Sequence, residues 1–344
     1  MTSSTPDSPD LRVLPDPSDS RATAEAILFE VRRVIVGQDA MLERILVGLL
    51  AGGHLLLEGV PGLAKTLTIK TLADILGGTF RRIQFTPDLV PADLVGTRIY
   101  RPDRATFETE LGPVFANFLL ADEINRAPAK VQSALLEVMQ EHQVTIGHTT
   151  HAVPDPFLVL ATQNPIEAEG TYPLPEAQVD RFMLKIRLGY PSPAEEAEIV
   201  GRSMGGTLKP RTVLDPDSLR TLQSGVANVY VDPRIVNYAV TLVDATRRPG
   251  RWNLADLGPY VAYGASPRGS INLVHGARAL ALLRGRRYVI PSDVTELAPD
   301  VLRHRLVLSY AGLAEGITPD TIVSRIVGVV PAPRLETLAA ESPA

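Results

Sequence analysis

Apolar residues recur at helical spacing through Ala24, Ile27, Leu28 and Val31, and a second amphipathic segment covers 39–51. The run Leu55-Leu56-Leu57 within 54–58 reads as a buried strand. Helical spacing resumes at Lys65 and ends at Gly77-Gly78, where glycine supplies the left-handed turn that stops a helix. Strands are predicted over 80–85, 117–121, 157–162 and 182–188. A helix is predicted from near Pro128 to Glu141, and a hairpin over 143–152 with its turn near Gly147-His148. The stretch 86–113, rich in Pro, Asp and Gly with short β-like pieces, is an insertion rather than a core element. Strands alternating with helices as far as residue 188 predict an α/β fold on a parallel sheet.

Past Pro191 the pattern changes to helices alone, over 193–203, 216–227, 232–247, 267–285 and 291–304. Several open on Ser, Asp or Pro, and Ser292-Asp293 and Thr318-Pro319 are further cap or first-turn signals. The predicted organisation is a disordered tail over 1–20, an α/β core over 21–190, a mostly helical domain over 191–333 and a tail over 334–344. A chain of 344 residues has room for two cores. A net charge of −5 provides no global basic field to draw it onto DNA or an anionic membrane. The absence of cysteine excludes disulfides and thiolate metal sites and fits a reducing cytoplasm. No apolar segment suits export, and the run at 45–57, interrupted by glycines and His54, is too short to span a bilayer. A soluble cytoplasmic protein without a membrane span is expected.

Chemistry concentrates where that first strand ends. Gly59-Val60-Pro61-Gly62-Leu63-Ala64-Lys65-Thr66 follows the strand and opens a helix, the context of a phosphate-binding loop. Such a loop turns backbone N–H groups inward around anionic oxygens, and the helix N-terminus adds its positive dipole. Lys65 is placed to reach the β- and γ-phosphates of a nucleoside triphosphate, and the Thr66 hydroxyl to ligate Mg²⁺. Ala64 stands where glycine is usual; as the first helical position it is expected at negative φ, where a methyl group fits. The bland alternative is a chance Gly/Pro turn before a helix.

A second apolar strand ends in Asp122-Glu123, the end at which open α/β sheets bind ligands. Asp122 suits the Mg²⁺ shell and Glu123 suits polarising the water that attacks the γ-phosphate; alone, the pair also fits a helix N-cap. Asn164, at the end of a third strand, suits a γ-phosphate or water contact, or is simply a turn residue before Pro165. Arg181 fits either an ion pair with Asp180 or Glu176, or an arginine finger offered to a neighbouring subunit. Arg268 lies in the first turn of a helix, where a cation is electrostatically misplaced, so it requires an anionic partner: a nucleotide phosphate or a nearby carboxylate.

Phosphate loop, Asp-Glu strand end, Asn-tipped strand, arginine before the last strand and arginine in a helical lid occur in the order of the AAA+ ATPases. The strings Val36-Gly37-Gln38, 59–66, Gln84-Phe85-Thr86-Pro87-Asp88, 120–127 and Leu174-Pro175-Glu176-Ala177-Gln178 closely resemble the MoxR family, over roughly residues 24–330. The resemblance implies a parallel-sheet AAA+ core (a P-loop NTPase) followed by a small helical lid, working as a homo-oligomeric ring, expected to be a hexamer. It implies ATP and Mg²⁺ as cofactors, with Ile35 and Val36 against adenine and Gly59, Val60, Pro61, Gly62, Leu63, Ala64, Lys65 and Thr66 on the phosphates. Thr66 and Asp122 would hold the ion, Asn164 would be sensor 1, Arg181 the finger and Arg268 sensor 2, in cis or in trans. The segment 86–113 resembles the helix-2 insert and 143–152 the hairpin before sensor 1. Gln84 would be a polar partner that holds Glu123 inactive until a client binds. Family members are chaperone-like, assist in maturing metal cofactors, and often work with von Willebrand factor A-domain partners.

An ATP-driven remodelling ATPase acting on a protein client is therefore the leading expectation. A nucleic-acid-translocating motor ranks below it. The hairpin tip Gly147-His148-Thr149 has no permanent cation, and Arg98, Arg101 and Arg104 of the insert are balanced by Asp103, Glu108 and Glu110. A nucleotide-gated scaffold with little turnover is a third reading, opposed by the intact set Lys65, Asp122, Glu123 and Asn164. His148 and His151 are read as exposed loop histidines rather than metal ligands, and the Pro/Gly-rich stretch 249–267 around Trp252 as a lid loop.

Overall fold

The computed structural model describes residues 17–334 apart from Pro61, 166–169 and 205–207. The tails expected over 1–20 and 334–344 thus fall largely outside the described residues, although 17–20 already belong to the first helix. In chain order, α1 (Pro17–Val34) and α2 (Asp39–Leu50) precede β1 (Leu55–Glu58), and α3 (Lys65–Ile75) leads to β2 (Phe80–Gln84). The insert consists of α4 (Pro91–Val95), β3 (Gly96–Arg101) and β4 (Thr106–Leu111). Next come β5 (Phe118–Asp122), α5 (Ala129–Glu141), the hairpin β6 (Gln143–Ile146) and β7 (Thr149–Ala152), β8 (Leu158–Gln163), α6 (Glu176–Val179) and β9 (Leu184–Arg187). The C-terminal half holds α7 (Pro193–Met204), α8 (Pro216–Ala227), α9 (Pro233–Arg247), β10 (Val261–Tyr263), α10 (Pro267–Leu283), α11 (Pro291–Leu302), β11 (Val307–Leu308), α12 (Tyr310–Ala314) and α13 (Pro319–Val329).

One parallel sheet runs in the order β2-β5-β8-β1-β9. β1 lies between β8 and β9, with Leu55 opposite both Leu160 and Leu184, and is covered on both faces. This is why it reads as consecutive leucines rather than an alternation. β2, at the sheet edge, keeps Arg81 and Arg82 exposed and only Ile83 buried. The sheet order reverses beside β1, so all the strand ends that matter meet at one carboxyl edge: Glu58, Gln84, Asp122 and Gln163.

Successive strand residues face opposite ways, and the sheet has a core on each side. Leu56, Leu119, Ala121 and Val159 pack with residues of α4, α5 and β6. Leu55, Leu57, Leu120, Leu160 and Leu184 pack with α1, α2 and α3, in a cluster that continues without interruption into α8, α9, α10, α11 and α13. The insert is an antiparallel hairpin, with Gly96 opposite Leu111 through to Arg101 opposite Thr106.

Caps follow the sequence signals at four helices; at α9 Asp232 accepts from Arg234 N. Asp215, Ser266 and Thr318 accept from Ser218 N, Arg268 N and Thr321 N. Ser292-Asp293 lies in the first turn of α11, one of the two expected placements. Ile290 is the residue before α11, and the fully buried Asp293 accepts from its N–H at 2.9 Å and from both terminal nitrogens of Arg286. The 249–267 stretch is not an open loop, because two 3-10 turns sink Leu254 and Leu257 into the core. Trp252 Nε1 donates to Asp244 Oδ2 at 3.1 Å. No helix among the described residues is long and apolar enough to cross a membrane.

Candidate nucleotide site

The loop after β1 has specific steric demands. A Cβ on Gly59 would come within 2.8 Å of Leu188 Cβ, so only glycine fits there. Gly62 has open space around it but sits at φ +85°, a conformation that favours glycine. Ala64 departs from expectation: it is at φ +53°, ψ 20°, as the residue capping α3 and not as its first helical residue. The methyl group therefore occupies a left-handed position that costs about 1–2 kcal/mol relative to right-handed backbone. Pro61 lies outside the described residues.

Lys65 Nζ donates to Gly59 O at 2.7 Å, which folds the side chain back over the loop. Burial lowers its pKa, while the carboxylates of Asp122 and Glu123 pull the other way. Residues far apart in sequence are thus within electrostatic reach at the sheet's carboxyl edge. The Thr66 hydroxyl makes no hydrogen bond with any described residue.

Asp122 and Glu123 are held by a small polar network. Thr162 Oγ1 donates to Asp122 Oδ1 at 2.6 Å and accepts from the Glu123 N–H at 2.8 Å, tying β8 to the end of β5. Arg82 donates to Asp122 Oδ2 from Nη2 at 2.6 Å and from Nε at 3.1 Å. Gln84 Nε2 donates to Glu123 Oε2 at 2.8 Å, and Arg126 Nε lies 3.0 Å from the same oxygen. The Gln84–Glu123 contact matches the expectation; Thr162, Arg82 and Arg126 were not anticipated. Glu123 itself stands at φ +56°, a left-handed conformation uncommon for a non-glycine residue. Asn164 is buried directly after β8.

Beside the loop opens a cavity of about 450 Å³, a size suited to a small-molecule ligand. Its walls include Ile35 and Val36 from the segment after α1, Gly62, Leu63 and Ala64 from the loop, and Leu67 from α3. Ile199 and Leu208, on and after α7, close it from the C-terminal half, a contribution the sequence did not reveal. The Thr66 hydroxyl and the Asp122 carboxylate are oxygen donors of the kind Mg²⁺ takes, and Asp122 is at present engaged by Thr162 and Arg82. Among the described residues no cluster of three His, Asp or Glu side chains could hold a metal alone.

Arg181 and Arg268 do not line that cavity. The ion pair weighed for Arg181 is not found: its side chain has no salt-bridge or hydrogen-bond partner among the described residues. Asp180 instead pairs with Arg305 at 2.9 Å and stands 3.9 Å from Arg268 Nη1, so Arg268 does have a nearby carboxylate. In the insert, Arg101 and Arg104 pair with Glu108 at 3.1 Å each, as expected. Arg98 is different. It stacks over Phe107 at 5.0 Å and lies against Gly147, which places a cation beside the hairpin tip. His151 rests edge-on against Phe115 rather than standing free in solvent.

The profile of the ATPase family associated with various cellular activities (AAA) matches residues 54–184, and that of the AAA lid domain residues 256–326. Chaperone MoxR1 of Mycobacterium tuberculosis is 58% identical over 316 residues, 92% of this chain and 84% of that protein. The chain belongs to the MoxR family of AAA+ ATPases. YeaC of Bacillus subtilis is 46% identical over 88% of this chain and 92% of its own. The 2.00 Å crystal structure of an ATPase candidate from Cytophaga hutchinsonii superposes with a TM-score of 0.88 at 48% identity, covering 92% of this chain and 97% of that one. In this MoxR-family chain the AAA match spans β1 through the first residue of β9, and the lid match spans β10 to most of α13.

Proposed function

We propose that this chain binds ATP with Mg²⁺ and hydrolyses it at the seam between two subunits of a cytoplasmic ring, six-membered by family analogy, to remodel a protein client. The observation that carries the reading is the joining of an apolar cavity at Ile35 and Val36 to a loop whose lysine sits in the field of Asp122 and Glu123. In this reading the base enters the cavity, and Lys65 and the loop N–H groups grip the phosphates. Thr66 and Asp122 hold the ion, which when bound neutralises phosphate charge. Glu123 orients the attacking water, and Asn164 contacts the γ-phosphate or that water. Arg181 is supplied by the neighbour. The Gln84 and Arg126 contacts hold Glu123 aside until a client arrives. MoxR1's description as a chaperone supports a protein client; metal-cofactor insertion and a von Willebrand factor A-domain partner rest on family analogy.

Titration of the full chain with a fluorescent ATP analogue tests the cradle. Lys65→Ala should abolish measurable binding, while Glu123→Gln should bind and retain ATP; equal affinity in wild type and Lys65→Ala would remove the assignment. The Glu123→Gln protein, loaded with ATP, then serves to capture the client. DNA binding that rises steeply at low salt would instead favour the nucleic-acid motor.

A further inference from the structure

Arg305 ends the 3-10 turn that follows α11, and its side chain has 0% solvent exposure. A guanidinium taken wholly out of water persists only where its N–H groups are satisfied. Its Nε donates to Asp180 Oδ1 at 2.9 Å, and Nη2 to the carbonyls of Asp180 at 3.0 Å and Phe182 at 2.6 Å. Nη1 donates to the carbonyls of Met183 at 3.3 Å and Val301. One side chain from the C-terminal half thus fixes the backbone on both sides of Arg181. Asp180 extends the fixture, because its two carboxylate oxygens each accept from Ser266 Oγ at 2.9 Å, and Ser266 caps α10, which carries Arg268 in its first turn.

Charge gives the arrangement its direction. Asp180 is committed to the buried Arg305, and the Arg268 guanidinium, 3.9 Å away and 43% exposed, makes no side-chain hydrogen bond among the described residues. Burial and the neighbouring Arg268 lower the pKa of Arg305 to about 10, which leaves it charged at neutral pH. Arg305 and Arg268 thus share the one carboxylate of Asp180, which leaves the exposed Arg268 guanidinium able to take a further anion.

We propose that Arg305 and Asp180 form a clamp that presents Arg181 and Arg268 as one unit to the triphosphate of the adjoining subunit. This rests on the reading of Arg181 as an arginine offered in trans, and it places Arg268 on the same neighbour's nucleotide. Arg305 touches no nucleotide; it is a positioning residue.

Mixed rings of the full chain separate the two levels. An Arg181→Ala subunit keeps its phosphate cradle and serves as acceptor, and a Lys65→Ala subunit keeps its arginines and serves as donor. Each alone should be inactive, and the mixture should hydrolyse ATP. Introducing Arg305→Lys or Asp180→Asn into the donor should lower the restored kcat by about 10–100-fold, the scale expected from a misplacement near 1 Å. The KM for ATP belongs to the acceptor's cradle and should not move. Ser266→Ala, which cuts the tie from Asp180 to α10 together with the cap of that helix but leaves Arg305 and Asp180 in place, serves where a buried substitution prevents the donor from folding or entering rings, as judged by melting temperature and elution volume. It too should lower the restored kcat. Undiminished rescue by folded donors carrying these changes overturns the clamp. Absence of rescue by the parent donor overturns the trans reading, and the clamp with it.

Discussion

His54, just before β1, should make the fold acid-sensitive in a way a single substitution can reveal. Its ring is fully buried between the sheet and α5. Nε2 donates to Met139 O at 3.0 Å, and Nδ1 accepts from the Val159 N–H at 3.0 Å, so both nitrogens are satisfied only in the neutral tautomer. A proton on Nδ1 would set two donors against each other. Burial accordingly pulls the pKa from 6.5 down to about 4, opposed by the bond to Met139 and aided slightly by His142. The unfolded chain binds this proton near its ordinary pKa. The stabilisation is therefore complete above about pH 6.5 and is lost as pH falls towards about 4. The full shift is worth about 3 kcal/mol, and linkage puts roughly 2 kcal/mol of that loss above pH 5. Urea titrations at about pH 7.5 and pH 5, followed by far-UV circular dichroism, should show wild type losing about 2 kcal/mol more than His54→Gln. Replacing one hydrogen bond shifts the variant's stability by a constant that drops out of this difference. His304, also buried and held well below its ordinary pKa by burial, contributes equally to both proteins and cancels. An identical loss in the two proteins would refute the buried-histidine argument.

Two further substitutions test the fold and the loop. Ala64→Gly relieves a left-handed methyl at φ +53° but loosens the unfolded chain, so a net gain of up to about 1 kcal/mol is expected in thermal unfolding; a loss of stability would contradict the strain. Arg44, 10% exposed, pairs with Asp300 at 2.9 Å, Glu43 at 3.0 Å and Glu296 at 3.3 Å. Arg44→Ala leaves Glu43 and Glu296 with Arg284 and Asp300 with Arg303, so the loss should be held to about 1–2 kcal/mol by calorimetry, with a near-neutral result counting against a structural role for the cluster.

Much of this architecture was legible because it depends on short-range periodicity. Leu55-Leu56-Leu57 announces a strand covered on both faces, and the helices of the C-terminal half show their caps at Ser266 and Thr318. The loop between β1 and α3 was legible because its glycines and Lys65 stand at fixed offsets after an apolar strand. Pairings that depend on sheet order were not. Arg82 meets Asp122 only because β2 lies beside β5, with Gln84 opposite Asp122 in register. Arg305 is opaque for the same reason: a charge in sequence reads as solvated until the carbonyls that surround it are known. Ala64 was misjudged because its conformation belongs to the loop and not to the helix it precedes. The helical pattern of α7 gave its existence but not its exposure: none of its residues is buried, and Ile199 faces the cavity.

Local charge reconciles a net charge of −5 with the proposed grip on a triphosphate. At the sheet's carboxyl edge Lys65, Arg82 and Arg126 stand against Asp122 and Glu123, one positive charge in excess. The carboxylates proposed for ion and water are already engaged by arginines, and those ion pairs keep two acids from facing an arriving polyanion unscreened. Arg82 and Arg126 are themselves partly exposed and so can move at modest desolvation cost. In the proposed reading, releasing Asp122 to an ion would also free Arg82 towards phosphate, so the same displacement would serve both charges. A rigid, buried pair at this point would hold the site closed; an exposed one lets ligand binding and carboxylate release occur together.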